Sequence, residues 1–227
     1  MDGLFVTATD TGVGKTVLSA CLLACIAATG VRVRAFKPVV TGLDEPAAPG
    51  GWGADHELLA RAAGGLAGDV APLLFGPAVS PHLAADLSGH SIEPAALLAS
   101  ARSAGDDATV IAEGVGGLLV PLTRDYSICD LAADLGLPVL IAARTGLGSI
   151  NHTLLTLRVA RDAGLDVRAV VLTPWPDRPD AVALSNRDTI AELGDVEVAC
   201  LRRVTGPEPA ELADAGATLP WRRWLAP

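Results

Sequence analysis

Positive charge is scarce in this 227-residue chain: 17 Lys and Arg face 26 Asp and Glu, for a formal net charge of −9 and a pI near 4.8. A nucleic-acid or anionic-membrane surface needs clustered Lys and Arg to neutralise phosphates, so both partners are excluded and any anionic ligand must be captured by a local site. Cysteine is sparse as well. The four residues, Cys21, Cys25, Cys129 and Cys200, contain no Cys-x-x-Cys pair, and the start Met1-Asp2-Gly3 lacks the basic-then-apolar signature of a secretion signal. Both absences point to a reducing cytoplasm. The uncharged stretch 16–31 is too short to span a bilayer and reads as a buried helix, with Cys21 and Cys25 as apolar packing, despite a mean hydropathy of +0.41. Internal repeats, low-complexity tracts and dividing linkers are also missing, which predicts a single α/β domain over 1–227.

What is present is an apolar chain with rhythm. Half the residues are hydrophobic, enough for a substantial core. Short runs rich in β-branched residues at 4–7, 33–40, 109–112, 138–143, 167–172 and 196–201 read as strands. Between them, 15–29, 55–63, 94–104, 128–135, 150–163 and 181–193 read as helices. This alternation predicts a P-loop NTPase-like fold: a mostly parallel β-sheet flanked by helices on both faces. Two stretches break the rhythm, 42–53 with its Gly and Pro, and 69–81 with Pro72, Pro77 and Pro81. Both read as loops, and in an open α/β fold such loops build the site at the strand C-termini. The tail 206–227 gives no clear pattern.

The first strand runs into A-T-D-T-G-V-G-K-T at 8–16 and then directly into an apolar helix, the strand–loop–helix setting of a phosphate loop. Gly12 and Gly14 let backbone N–H groups of Thr11, Val13 and their neighbours curl round a β-phosphate. Lys15 supplies charge to the β- and γ-phosphates. Thr16, followed by Val17, opens the helix and offers a hydroxyl to Mg²⁺ where the helix dipole is positive.

Phosphoryl transfer asks mainly for positioning and charge neutralisation, so further charged groups are expected at the ends of other strands. Lys37 stands in F-K-P-V-V-T-G at 36–42, where a lysine is costly to bury without an anion to meet. Glu113 ends the run V-I-A-E at 110–113 and is followed by Gly114, Val115, Gly116 and Gly117, a lone carboxylate suited to Mg²⁺ beside backbone that can approach a ligand closely. Asp55 is a weaker candidate on local grounds, since Asp at a helix start is most often only an N-cap. The run L-G-S-I-N-H-T at 147–153 opens another helix, so Gly148, Ser149, Ile150 and Asn151 can present N–H groups to a carboxylate, although capping alone explains Ser149 and Asn151. His56, His82, His90 and His152 have no partners at metal spacing and read as structural.

Five ordered motifs, at 8–16, 37–42 (K-P-V-V-T-G), 80–82 (S-P-H), 113–117 (E-G-V-G-G) and 147–153, together resemble dethiobiotin synthetases over residues 4 to 173. The resemblance implies a homodimeric, Mg²⁺-dependent enzyme that closes the ureido ring of dethiobiotin from diaminopelargonic acid, CO₂ and ATP. It assigns Thr16, Asp55 and Glu113 to Mg²⁺, Lys15 to the phosphates, and Lys37 to the charge on carbamate and transferred phosphoryl. Thr11 and Thr41 would touch the carbamate end. The substrate carboxylate would meet the N–H groups of Gly148, Ser149, Ile150 and Asn151 from the partner subunit. Thr173, Pro174, Ala199, Cys200 and Leu201 would lie near the base.

The sequence departs from the family pattern twice. Ala8 stands where the family loop opens with glycine, and a methyl there predicts weaker preorganisation. Pro174 stands where an Asn reads the adenine edge in well-known members; lacking an N–H, it predicts relaxed base preference, with CTP or GTP competing with ATP. Two other readings fit the phosphate loop less well. A signalling GTPase would carry Asn-Lys-x-Asp and a partitioning ATPase an extra lysine within 9–13, and neither occurs. An amidating ligase acting on corrinoid precursors would need a glutamine-hydrolysing domain that no stretch here can house.

Overall fold

The computed structural model describes residues 1–46 and 51–226. In chain order the elements are β1 (Gly3–Ala8), α1 (Lys15–Ala27), β2 (Val33–Phe36), β3 (Val39–Val40), α2 (Asp55–Ala63), a 3₁₀ turn (Ala67–Asp69), β4 (Leu73–Leu74), α3 (Pro81–Leu87), α4 (Pro94–Ala104) and β5 (Thr109–Glu113). There follow α5 (Ile128–Leu135), β6 (Val139–Ala143), α6 (Ser149–Asp162), β7 (Val167–Trp175), α7 (Ala181–Gly194), β8 (Glu197–Arg202), α8 (Pro209–Gly216) and α9 (Trp221–Leu225).

Six strands form one sheet in the order β2-β5-β1-β6-β7-β8, with every pairing parallel. Parallel strands with helical crossovers are covered on both faces, which is why β1 and β6 are buried along their whole length and read as unbroken apolar runs. One face packs on α1, α2, α8 and α9, around Leu18, Leu22, Leu59, Leu212 and Trp224. The other packs on α4 to α7, around Leu97, Leu131, Leu157 and Ile190. The chain leaves β1 for β2 on one side, whereas β6, β7 and β8 build outward on the other. The switch point therefore lies at the C-terminal end of β1, where a crevice opens over the sheet.

Two sequence expectations change. The single strand expected over 33–40 is two: β2 pairs with β5 only as far as Phe36 beside Ala112, and Val39–Val40 instead pairs with Leu73–Leu74 in a separate two-stranded sheet. Pro38 has no N–H to donate and the Lys37 N–H turns to the Val70 carbonyl at 2.9 Å, so the ladder cannot continue. The predicted loop 69–81 holds β4, and its last residue, Pro81, is the first of α3, where a missing N–H costs nothing. The predicted loop 42–53 falls at 47–50 outside the described residues. In the tail, α8 lies so close to α1 that a Cβ on Gly216 would overlap the Cys21 carbonyl, and Trp221 and Trp224 are buried beneath.

Candidate active site

The loop between β1 and α1 takes its shape from two glycines. Gly12 (φ 70°) and Gly14 (φ 98°) occupy the left-handed region, which strains any L-residue. Gly14 is held from a second side as well: a Cβ there would come within 3.0 Å of the Thr173 side chain at the end of β7. Ala8 needs no such freedom. It ends β1 paired with Ala142, fully buried and without a positive φ, so the expectation that its methyl loosens the loop is not reflected in the backbone. Gly14 is the N-cap of α1 and no side chain caps the helix, so the first N–H groups of α1 are open to an anion.

Lys15 and Thr16 begin α1, and Lys37 and Glu113 sit just past β2 and at the end of β5. Lys15, Thr16 and Lys37 meet in one cavity of about 770 Å³, into which Thr11, Gly12, Val17, Thr41, Asp55, Val115 and Gly116 also face, while Glu113 lies behind the wall against Lys37 and Thr16. Lys37 is 3% exposed and Glu113 fully buried. The Lys37 Nζ lies 2.5 Å from Glu113 Oε1 and 2.7 Å from Asp55 Oδ2, and Thr16 Oγ1 donates to the same Glu113 oxygen at 2.9 Å. Burial alone would push the Lys37 ammonium down, but Glu113 and Asp55 outweigh it and hold its pKa above the ordinary lysine value. Burial does prevail at Lys15, whose pKa is lowered despite Glu113. At Asp55 burial pulls upward, yet Lys37 holds the carboxyl below its ordinary range.

Asp55 is the first residue of α2 after Ala54, not its cap; the Ala54 N–H is taken by Glu57 at 2.9 Å. Its carboxylate is therefore free to serve the cavity. Glu113 Oε2 is buried without a hydrogen-bond partner among the described residues. An orphaned carboxylate oxygen is costly unless a cation meets it. Among the described residues no three His, Cys, Asp or Glu side chains cluster at metal-binding distance. A metal here would rest on two carboxylates, the Thr16 hydroxyl and phosphate oxygens, a hard-oxygen set that suits Mg²⁺.

About half of the expected site residues converge on this cavity, and the rest do not line it. Val13 is 2% exposed beneath the loop. Gly114 packs on the sheet side, where a Cβ would strike Ile128 at 2.8 Å. Thr173 supports Gly14 from below, and Pro174 follows it. Ala199, Cys200 and Leu201 lie inside β8, Ala199 and Cys200 paired with Val171 and Leu172, and Leu201 is fully buried. Gly148, Ser149, Ile150 and Asn151 do not line the cavity. Gly148 is the N-cap of α6, with no side-chain cap from Ser149 or Asn151. The Ser149 N–H turns back to the Gly146 carbonyl at 3.3 Å, and the His152 N–H reaches Gly148 O at the same distance.

Motif reading assigns no site role to part of the wall, although Val39, Ser80 and Pro81 lie within the motifs at 37–42 and 80–82. Val39, Ala78, Val79, Ser80, Pro81 and Val120 line the same cavity. The sequence signal for Ala78 to Pro81 is the proline-marked loop entering a helix at the strand C-terminal edge. A second signal lies in composition: Lys15 and Lys37 are the only lysines in the chain. A protein that meets every other cationic need with arginine keeps its two lysines for this cavity.

Residues 2–201 match a family described as an AAA domain. The ATP-dependent dethiobiotin synthetase BioD of Anaeromyxobacter dehalogenans is 40% identical over 198 residues, covering 85% of this chain and 86% of that protein. The protein of the same name from a Mycobacterium species is 35% identical over 232 residues, covering 100% and 99%. Among solved structures, a ParA family ATPase from Chlorobium tepidum superposes with a TM-score of 0.58 over 96% of this chain and 98% of that one. It is 11% identical, which shows a shared fold alone. With relatives this similar along most of both chains, and with the phosphate loop and Lys37 gathered in one cavity and Glu113 paired to Lys37 behind it, the chain belongs to the ATP-dependent dethiobiotin synthetase family.

Proposed function

We propose that this chain closes the ureido ring of dethiobiotin from diaminopelargonic acid, CO₂ and ATP, a step of biotin biosynthesis. The observation that carries the reading is Lys37, buried between Glu113 and Asp55 on the wall of the cavity it shares with the phosphate loop and Thr41. A nucleotide hydrolase needs the phosphate loop; a ligase also needs a fixed cation where a second anionic reactant meets the γ-phosphate.

One amine of the substrate adds to CO₂ and loses a proton, giving a carbamate. A carbamate oxygen attacks the γ-phosphorus and the nucleoside diphosphate leaves. The neighbouring amine then attacks the carbamoyl carbon, closing the ring and expelling orthophosphate, which carries the carbamate oxygen away. Lys37 neutralises charge on the carbamate and the transferring phosphoryl group, Lys15 holds the phosphates, and Thr11 and Thr41 orient the carbamate end. Thr16, Asp55 and Glu113 would hold Mg²⁺, which neutralises phosphate charge when bound.

The substrate carboxylate is assigned to Gly148, Ser149, Ile150 and Asn151 of a second copy, making the enzyme a homodimer with its substrate site at the subunit interface. In support, Leu147 is 97% exposed, Leu119 63% and Leu155 58%. Leu119 and Leu155 flank a groove of about 400 Å³ that runs up to Thr9, Asp10 and Thr11. An apolar surface continuous with the phosphate loop fits a second copy better than water. The Ser149 hydroxyl is buried without a partner among the described residues, a polar atom suited to an anion at this helix start.

At the base end, Pro174 has no N–H to offer, so CTP and GTP are accepted beside ATP. The whole chain acts as one domain in the cytoplasm, and no described helix is long and apolar enough to cross a membrane. Mass spectrometry of a reaction holding the protein, diaminopelargonic acid, bicarbonate, Mg²⁺ and each triphosphate in turn tests the reading. Dethiobiotin formed in step with nucleoside diphosphate is the expected result. Triphosphate hydrolysis without dethiobiotin would leave a nucleotide switch as the better description.

A further inference from the structure

Asn186 is a polar residue in the middle of α7, 6% exposed, and touches none of the groups given a chemical role above. A buried amide must find acceptors, and Asn is a poor choice inside a helix unless those partners matter. Its Nδ2 donates to two consecutive carbonyls, Thr145 O at 3.0 Å and Gly146 O at 2.9 Å. The Gly146 oxygen is the same one that receives the Ser149 N–H, the first of α6. The amide therefore fixes the loop 144–148 at the point where the α6 N-terminus is set. At its other end the loop is tied to the nucleotide site: Arg144, exposed and without an ion pair among the described residues, donates from Nη2 to Thr11 O in the phosphate loop at 3.1 Å.

We propose that Asn186 is a positioning residue for the substrate. From α7 it holds the loop 144–148, and through that loop it aims the N–H groups at the start of α6 that take the substrate carboxylate, while Arg144 ties the same loop to the phosphate loop. This rests on the assignment of the carboxylate to Gly148, Ser149, Ile150 and Asn151. Hydrogen bonds to an anion need donors held in place, so a loosened loop costs affinity for the carboxylate and leaves the amine end of the substrate untouched.

The test compares diaminopelargonic acid with its primary amide, which keeps both amines and loses the negative charge. The wild-type dimer is expected to show a lower KM for the acid. Asn186→Ala is expected to shrink that acid-over-amide preference about tenfold while changing the nucleotide KM and the KM for the amide little. Arg144→Ala, at an exposed position that leaves the core intact, is expected to shrink the same preference and also to weaken nucleotide binding. Asn186→Ala protein that melts at lower temperature yet keeps the wild-type preference would overturn the proposal, because the amide would then serve folding alone. If Asn186→Ala does not fold, an unchanged preference in Arg144→Ala overturns it equally. A wild-type enzyme with no preference for the acid would instead remove the carboxylate assignment, and the positioning role with it.

Discussion

The phosphate end of the crevice and the part of β7 and β8 where we propose the base sits are built on opposite terms. At the phosphate end, beside Lys15, one lysine, two carboxylates and a threonine hydroxyl are packed so that each holds another in place: Lys37 between Glu113 and Asp55, and Thr16 on Glu113. In β7 and β8, Pro174 has no N–H, and Ala199 to Leu201 form an apolar run within β8 in which Leu201 is fully buried. Charged groups buried this way cannot be altered singly without leaving a partner uncompensated, whereas apolar and backbone contacts tolerate change. The groups around the phosphate loop are therefore rigidly specified, and those proposed to meet the base loosely specified.

The comparison breaks most visibly at Lys37. Lys37→Ala is expected to lower kcat by about a hundredfold or more with nucleotide affinity largely kept, since the ammonium acts on charge that develops during transfer. Single-turnover rates beside equilibrium nucleotide binding separate the two effects. A variant that mainly weakened nucleotide binding would move Lys37 from the reacting centre to the phosphate grip.

Gly14→Ala comes next. It must place a side chain at φ 98° and against Thr173, so nucleotide binding is expected to weaken about tenfold or more, a change of roughly 1–2 kcal/mol. Calorimetric titration with ATP measures it, and unchanged binding would mean that the loop relaxes around the methyl.

The two lysines also separate by pH. Burial lowers Lys15, so the free enzyme loses that cation as pH rises through a value under 10.5, whereas Lys37, raised by Glu113 and Asp55, keeps its charge beyond 10.5. Nucleotide affinity is expected to fall by up to about tenfold per pH unit on the alkaline side, and Lys15→Arg to flatten that limb because arginine stays charged. An alkaline limb that persists in Lys15→Arg would assign it elsewhere. The smallest effect lies at the base: kcat/KM values for ATP, CTP, GTP and UTP are expected to fall within about tenfold of one another. A strong ATP preference would show that the base end reads its ligand through contacts other than the Pro174 position.

The same contrast governs what could be read from sequence. Lys15, Thr16, Lys37 and Glu113 were legible because phosphate chemistry demands particular residue types in short contiguous motifs at strand ends. The strands β1, β5, β6 and β7 were legible because burial on both faces leaves apolar runs, and the partly buried edge strand β8 through its short run Val198 to Leu201. Asp55 was only half legible, since a carboxylate at a helix start is most often a cap, and its place in the site depends on Lys37 arriving from another strand. Asn186 and Arg144 gave no signal at all. Their partners are backbone carbonyls, which exist at every residue, and those carbonyls lie 40 and 133 positions away. The helices α8 and α9 were hidden because they are short and are ordered by packing on α1, where Gly216 meets Cys21, rather than by a periodic pattern of their own.

The most direct measurement is the fate of oxygen in a reaction started with ¹⁸O-labelled CO₂ in unlabelled water and analysed before exchange with solvent. If the carbamate takes the γ-phosphoryl group beside Lys37, each orthophosphate released with dethiobiotin carries one labelled oxygen. Unlabelled orthophosphate would mean that water takes the phosphoryl group, and would contradict a ligase built around that lysine.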